Sequence, residues 1–171
     1  ELYEAFDGDS LLPLVSFNST RNLVVLRSLS KTAGLAGLRI GFAIGNKNVI
    51  NQIKKVTGPY DINSFAVKAA LAALEDQKYI DAYVEKVLFA KDWIQTKLEL
   101  AKVKHHIGRG NYLLIWPKRK ANEMEKRLKE EGILVRDMTN KPLIQNSFRV
   151  SIGTKRQMEI FWEAFIKNEL I

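Results

Sequence analysis

The stretch RSLSKTAGLAGLRIG, residues 27–41, places Lys31 directly after two serines, Ser28 and Ser30, and ahead of three glycines, with Arg39 eight positions further on. A lysine drawn out of water loses part of its preference for the charged form, and the neutral amine that results is a nucleophile. Condensation with a carbonyl is the usual employment of such an amine. The neighbouring groups do a different job. Serine hydroxyls and glycine-loop N–H groups are neutral donors, and a guanidinium adds a two-pronged cationic one, so together they suit a phosphate.

An amine for a carbonyl beside a cradle for a phosphate is what pyridoxal phosphate requires of a protein. Two other phosphate loops do not fit. A Walker A loop needs its glycines before the lysine, and here they follow it; a GxGxxG dinucleotide loop is absent. The remaining alternative is a structural loop whose lysine points to solvent.

The elements that must position these groups are legible as patterns. NLVVLRS (22–28) and LRIGFAIG (38–45) read as two buried strands, with the lysine loop joining them. Residues 46–57 read as a short helix stopped by Gly58-Pro59. A second helix starts after Asn63 or Ser64 as N-cap, and a longer one runs over 79–101 with Ile80, Tyr83, Val84, Val87 and Leu88 at helical spacing. KVKHHI and NYLLIW are then two strands about the turn Gly108-Arg109-Gly110. A charged helix over 119–131 closes on Gly132, ILVR (133–136) and FRVSIG (148–153) are strands, and 155–170 is a final amphipathic helix. In that helix Phe161, Trp162 and Phe165 read as core, whereas the adjacent His105 and His106 must face opposite sides of their strand and form no metal pair. The order β-β-α-β-β-α predicts a compact α+β module over 77–171, following residues 1–76 as the end of a larger α/β domain.

Composition narrows the class. With 46% hydrophobic and 27% charged residues the chain is globular, and no apolar run approaches the roughly 18–20 residues of a membrane span. There is no cysteine, which rules out disulfides and thiolate metal sites, and a reducing, cytoplasmic setting fits. The first residues, ELYEAFDGDS, have neither the basic nor the apolar region of a signal peptide, and the abrupt start without methionine reads as a piece of something longer. The net charge of +8 does not indicate nucleic acid, because its densest cluster, KRKANEMEKRLKEE (118–131), alternates with acids at helical spacing and reads as a solvated helix face. It does favour a phosphorylated or carboxylated small molecule.

The segment S-L-S-K-T-A-G-L-A-G-L-R-I-G resembles the cofactor-lysine segment of fold type I pyridoxal phosphate enzymes, most closely the histidinol-phosphate aminotransferase family. The resemblance implies that Lys31 bonds the cofactor aldehyde, that Ser28, Ser30 and Arg39 hold its phosphate, and that Tyr3 in E-L-Y-E hydrogen-bonds its phenolic oxygen. Downstream, GILVRDM (132–138) and FRVSIGT (148–154) resemble the family's arginine-bearing strands. By that match Arg149 takes a substrate α-carboxylate, Arg136 a substrate phosphate, and Asn111 and Pro59-Tyr60 lie along the substrate.

The implied fold is the end of the family's large domain followed by its small C-terminal domain. The implied activity is amino-group transfer in histidine biosynthesis, with glutamate and 2-oxoglutarate as the second pair, in a cytoplasmic homodimer. In the family an aspartate directly before E-x-Y pairs with the cofactor ring nitrogen; an upstream asparagine, a stacking aromatic, a second phosphate loop and a partner-donated tyrosine complete the site, and the matched stretch contains none of them. A threonine-phosphate decarboxylase or an aromatic aminotransferase would share the pattern, and a catalytically inactive fragment serving as a folding or assembly module is the alternative from another class.

Overall fold

The computed structural model describes residues 1–15 and 18–170, which form two compact units, Glu1–Val84 and Glu85–Ile171. In chain order the elements of the first unit are α1 (Glu4–Asp7), β1 (Val24–Ser28), β2 (Gly41–Gly45), α2 (Lys47–Lys54), α3 (Ser64–Glu75) and the start of α4 (Gln77–Leu100). The second unit takes the rest of α4, then β3 (Lys104–Ile107), β4 (Tyr112–Trp116), α5 (Ala121–Glu130), β5 (Arg136–Asp137), β6 (Phe148–Ser151) and α6 (Lys155–Leu170). The architecture is mixed α and β, as the patterning predicts.

In the first unit β1 and β2 pair antiparallel, from Val24 opposite Gly45 to Ser28 opposite Gly41. Both strands are shorter than the apolar runs that announce them. Ala36–Leu38 form a 3-10 turn, and Arg39 adopts the left-handed conformation at φ 56°, so pairing begins only at Gly41. Their apolar residues have another use: Leu29 and Ile40 are buried with Ala66 and Ala70 of α3, and Leu35, Leu38 and Phe42 pack around them. Nor are these strands buried on both sides. Within β1 only Val25 is buried, and Leu26 is 61% exposed.

Helix starts follow their caps. Asn46 accepts from the Asn48 N–H at 3.0 Å to open α2, and Asn63 accepts from the Ala66 N–H at 2.8 Å to open α3. Phe6, fully buried, meets the Tyr83 ring edge-on with centroids 6.5 Å apart.

The second unit is a four-stranded antiparallel sheet in the order β3-β4-β6-β5. One face is dry. Leu113, Ile115, Phe148 and Val150 alternate onto it and meet Ile94 and Leu98 of α4, Met124 and Leu128 of α5, and Phe161 and Phe165 of α6, all buried. Phe148 packs against Phe161 and Phe165 at centroid distances of 6.4 and 5.9 Å. Phe161 and Phe165 are thus core, and Trp162 flanks them half-buried.

Strand β5 is shorter than ILVR suggests. Gly132 takes φ 78° to end α5, and the Ile133 N–H turns back to the Leu128 carbonyl at 2.8 Å, so ladder pairing starts at Arg136. The same happens before β3, where the Val103 N–H bonds Leu98 O at 2.9 Å and closes α4.

Candidate active site

Lys31 sits in the connection between β1 and β2. The Leu35 N–H donates to Leu29 O at 3.1 Å and closes residues 30–34 into a small loop, whose exit uses Gly34 at φ 70°. That backbone conformation favours glycine, since a Cβ there meets the neighbouring carbonyl. Leu29 anchors one side of the loop in the cluster with α3. Lys31 itself is half-buried, and its Nζ lies 5.9 Å from the centroid of the Tyr3 ring, so the cation sits over an aromatic face.

The two serines form one unit. Ser28 Oγ donates to Ser30 Oγ at 2.7 Å, and the Ser30 N–H donates to Ser28 Oγ at 3.1 Å. Two hydroxyl oxygens therefore stand side by side at the mouth of the lysine loop. Arg39 is exposed, and its Nη1 donates to Ala36 O at 2.9 Å within its own turn. The remaining N–H groups of the guanidinium keep its fork available as a donor.

Sequence reasoning missed the group that brings Tyr3 to the lysine. Arg27, in β1, pairs with Glu4 Oε1 through Nη1 at 2.7 Å and with Glu1 Oε2 through Nη2 at 3.1 Å, and its Nη2 also donates to Ser10 Oγ at 2.8 Å. Glu1 and Glu4 flank Tyr3, so this arginine clamps the tyrosine's segment onto the strand that leads to Lys31. The Leu11 N–H at 2.6 Å, with Ser10 and Arg27, holds the Glu1 carboxyl below its ordinary range, against a smaller upward push from burial. The visible signal was two acids either side of a tyrosine and one arginine inside an apolar run, which only pairing in space makes meaningful.

A cavity of about 360 Å³ lies next to this network, lined among others by Glu4, Arg27, Ser28, Thr32, Phe42 and Ile44. Its lining is mostly apolar, and of the predicted site residues it touches only Ser28.

The second unit carries a second cluster. Arg136 and Arg149 stand directly opposite each other on β5 and β6. Phe148 and Val150 point into the core, so Arg149 projects from the other face, and Arg136 with it. Arg149 lies with its guanidinium carbon 5.5 Å from the centroid of the Tyr112 ring. Register places Leu114 and His106 in the same row across the sheet. Like charges facing one another across a ladder cost roughly 0.2–1 kcal/mol, a cost that an anion between them would reverse. Asn111 adds one rung beyond β4, its carbonyl accepting from the Ile152 N–H at 2.8 Å. Tyr60 is 93% exposed on the loop before α3.

Comparison with known proteins gives the family. The model of the aminotransferase class I and II family matches residues 1–165. A histidinol-phosphate aminotransferase of Clostridium botulinum (strain Okra / Type B1) is 36% identical over 171 residues, covering 98% of this chain and 48% of its own length. Among solved structures, histidinol-phosphate aminotransferase from Sinorhizobium meliloti in complex with pyridoxal-5'-phosphate superposes with a TM-score of 0.82 at 22% identity, over 98% of this chain and 46% of that one. L-threonine-O-3-phosphate decarboxylase from Porphyromonas gingivalis does so with a TM-score of 0.78 at 24% identity, over 98% and 53%. At those identities the two structures speak for the fold alone. The chain spans about half the length of the curated relatives it matches. With the family's pattern running through nearly all of its residues, the chain belongs to the aminotransferase class I and II family.

Proposed function

We propose that this chain carries the lysine-bearing part of a pyridoxal phosphate-dependent aminotransferase of the histidinol-phosphate type. The observation that supports this best is the closed loop of residues 30–34, which holds a half-buried Lys31 beside Tyr3 and the Ser28–Ser30 hydroxyl pair. The donor set fits the cofactor chemically. An amine, a phenol, two hydroxyls and a guanidinium match its aldehyde, its phenolic oxygen and its phosphate. Lys31 would hold the aldehyde, Tyr3 the phenolic oxygen, and Ser28, Ser30 and Arg39 the phosphate. Pyridoxal phosphate, when bound, supplies a conjugated ring that accepts the electron pair left at the substrate's α-carbon.

The chain's own residues then divide the remaining work. Lys31 would serve as the base that takes a proton from the substrate α-carbon and, once protonated, as the acid that gives it back. Arg149 binds an α-carboxylate with two parallel N–H···O bonds, a geometry that lysine cannot reproduce. Arg136, facing it, takes a second anionic group such as a phosphate ester, and Asn111 contacts the substrate from the end of β4. The Tyr112 ring against Arg149 restricts the guanidinium and so lowers the entropy lost on binding. In its working form the protein is taken to be a cytoplasmic homodimer acting on a small amine and on glutamate, as its family membership suggests. The P. gingivalis decarboxylase offers a second reading, in which the same arginine pair holds threonine phosphate.

The test is direct. The chain is mixed with pyridoxal phosphate, reduced with borohydride, digested and mapped. Label confined to Lys31 supports the proposal; label spread over surface lysines counts against it. The isolated stretch is expected to be inactive; in the protein completed by the portion that its relatives have and this chain does not span, histidinol phosphate with 2-oxoglutarate should yield glutamate, whereas release of carbon dioxide from threonine phosphate would select the decarboxylase.

A further inference from the structure

Strand β5 is two residues long, and its ladder with β6 consists of the pairs Arg136–Arg149 and Asp137–Phe148. The residues before it add no rung, since the Ile133 N–H turns back to Leu128 O. Two rungs at the edge of a sheet do not fix a register by themselves, and a slip of one residue would turn Arg136 away from Arg149. The register must be held from elsewhere.

The loop 138–147, which joins β5 to β6, is tied down at several points. The Met138 N–H donates to Ser147 O at 2.9 Å, and the hydroxyl of Ser147, itself fully buried, donates to Ile144 O at 2.6 Å. The side-chain oxygen of Asn146 accepts from the Ala121 N–H at 2.9 Å, at the start of α5. The Trp116 indole N–H donates to Gln145 O at 3.0 Å. Leu143 and Asn146 stand at φ 69° and 56°. A leucine stays in that region only where its surroundings over-determine the backbone, so the ties dictate the path of the loop. Among these ties, the one from Trp116 starts on the sheet face that carries the arginines. Leu113 and Ile115 are in the core and Leu114 lies opposite Arg149, so Trp116 projects with Leu114 from the other face. The indole ring is held in turn by Lys104, its neighbour on β3, whose Nζ lies 5.1 Å from the ring centroid.

We propose that Trp116 is a positioning residue for the arginine pair: by holding Gln145 O it fixes the β5–β6 loop, and with it the register that sets Arg136 opposite Arg149. The inference rests on the reading of those two arginines as the contacts for the substrate's two anionic groups. Trp116 touches neither anion. It acts through the backbone, and its indole, a donor only, has a single hydrogen bond to give. A guanidinium whose place is set before the anion arrives gives up less freedom on binding it, so the tether favours a ligand that engages both arginines at once.

Two variants of the 171-residue chain separate the donor from the ring. Trp116→Phe keeps an aromatic ring beside Lys104 and removes the N–H; Lys104→Met removes the cation and leaves the N–H. Amide exchange followed by NMR should accelerate about fivefold at Met138 and Ser147 in Trp116→Phe, the worth of one neutral hydrogen bond, with the β3–β4 amides unchanged. The second readout is the Nε–H resonances of Arg136 and Arg149 during titration with O-phosphoserine, which carries an α-carboxylate and a phosphate. In the parent chain both should move with one half-saturation concentration. In Trp116→Phe the value for Arg136 should rise about fivefold or more above that for Arg149, and Lys104→Met should match the parent in both readouts. A parent chain in which neither arginine responds would refute the reading of the pair as anion contacts, whereas faster exchange confined to Met138 and Ser147 would still support the tether. The proposal is overturned if those two amides exchange within about twofold of the parent in Trp116→Phe, or if the β3–β4 amides accelerate equally. It is also overturned if Lys104→Met reproduces the effects of Trp116→Phe, or if both arginines titrate in Trp116→Phe as they do in the parent.

Discussion

Replacing Arg27 by methionine should free the segment that bears Tyr3 without unfolding either unit. Methionine keeps an unbranched stem in place of the arginine's, so the change is largely electrostatic. Arg27 holds Glu1 and Glu4 at 3.1 and 2.7 Å, and the three side chains are 28%, 14% and 25% exposed. Fully exposed pairs are worth a few tenths of a kcal/mol and buried charge-assisted hydrogen bonds about 1.5–3. With most of each side chain covered, about 1 kcal/mol per carboxylate is a fair value, or about 2 kcal/mol together. That corresponds to about thirtyfold in the local opening equilibrium. The amides that report it are Leu11, whose N–H donates to Glu1 Oε1, and Phe6, whose N–H donates to Tyr3 O. Their exchange should accelerate about thirtyfold in Arg27→Met, and Arg27→Lys, which keeps the charge but loses the fork, should fall between. Amides of β4 serve as the internal reference. If Leu11 and Phe6 exchange within about twofold of the parent protein, the clamp holds nothing and the account of how Tyr3 reaches Lys31 is wrong.

Three other perturbations separate the packing of the second unit from its chemistry. Phe148→Ala removes a fully buried ring that contacts two others and should cost about 3–5 kcal/mol of that unit's stability in a urea titration. Arg136→Gln relieves the like-charge pair across β5 and β6 and should stabilise the same unit by about 0.2–1 kcal/mol in low salt, fading in high salt, while weakening protection by added phosphate. The Glu131 carboxyl is held below its ordinary value of 4.5, chiefly by the Asn168 amide at 2.7 Å and then by Lys167. The unfolded chain therefore binds this proton more readily than the folded one. The stability Glu131 contributes is complete above the unfolded value and is lost as pH falls through the lower, folded one. Glu131→Gln should flatten part of the acid limb of a melting-temperature profile and leave the neutral region unchanged.

Much of the candidate site was legible because its chemistry is local. Lys31, Ser28 and Ser30 lie within a few residues, so their types and spacing carry the meaning, and the hydroxyl pair and the glycine exit of the loop are short-range consequences. The cap at Asn63, the stop at Gly132 and the aromatic face of α6 were readable for the same reason: each is set within one or two helical turns. Arg39 was placed by its distance from Lys31, yet its left-handed backbone and its bond to Ala36 O are features of a turn that the apolar run had concealed.

What depended on tertiary structure involves residues far apart in the chain. That Arg136 and Arg149 face each other follows from the register of β5 on β6, and a slip of one residue would send either to the opposite face. Arg27 is one charged residue in an apolar run until the first helix is folded against β1 with Glu1 and Glu4 in reach. Apolar runs announced both β1 and β2 as buried, but a run of hydrophobic residues states only that a strand can be covered. Whether a covering layer is present is decided by the rest of the fold, and within the first unit Leu26 stays largely exposed.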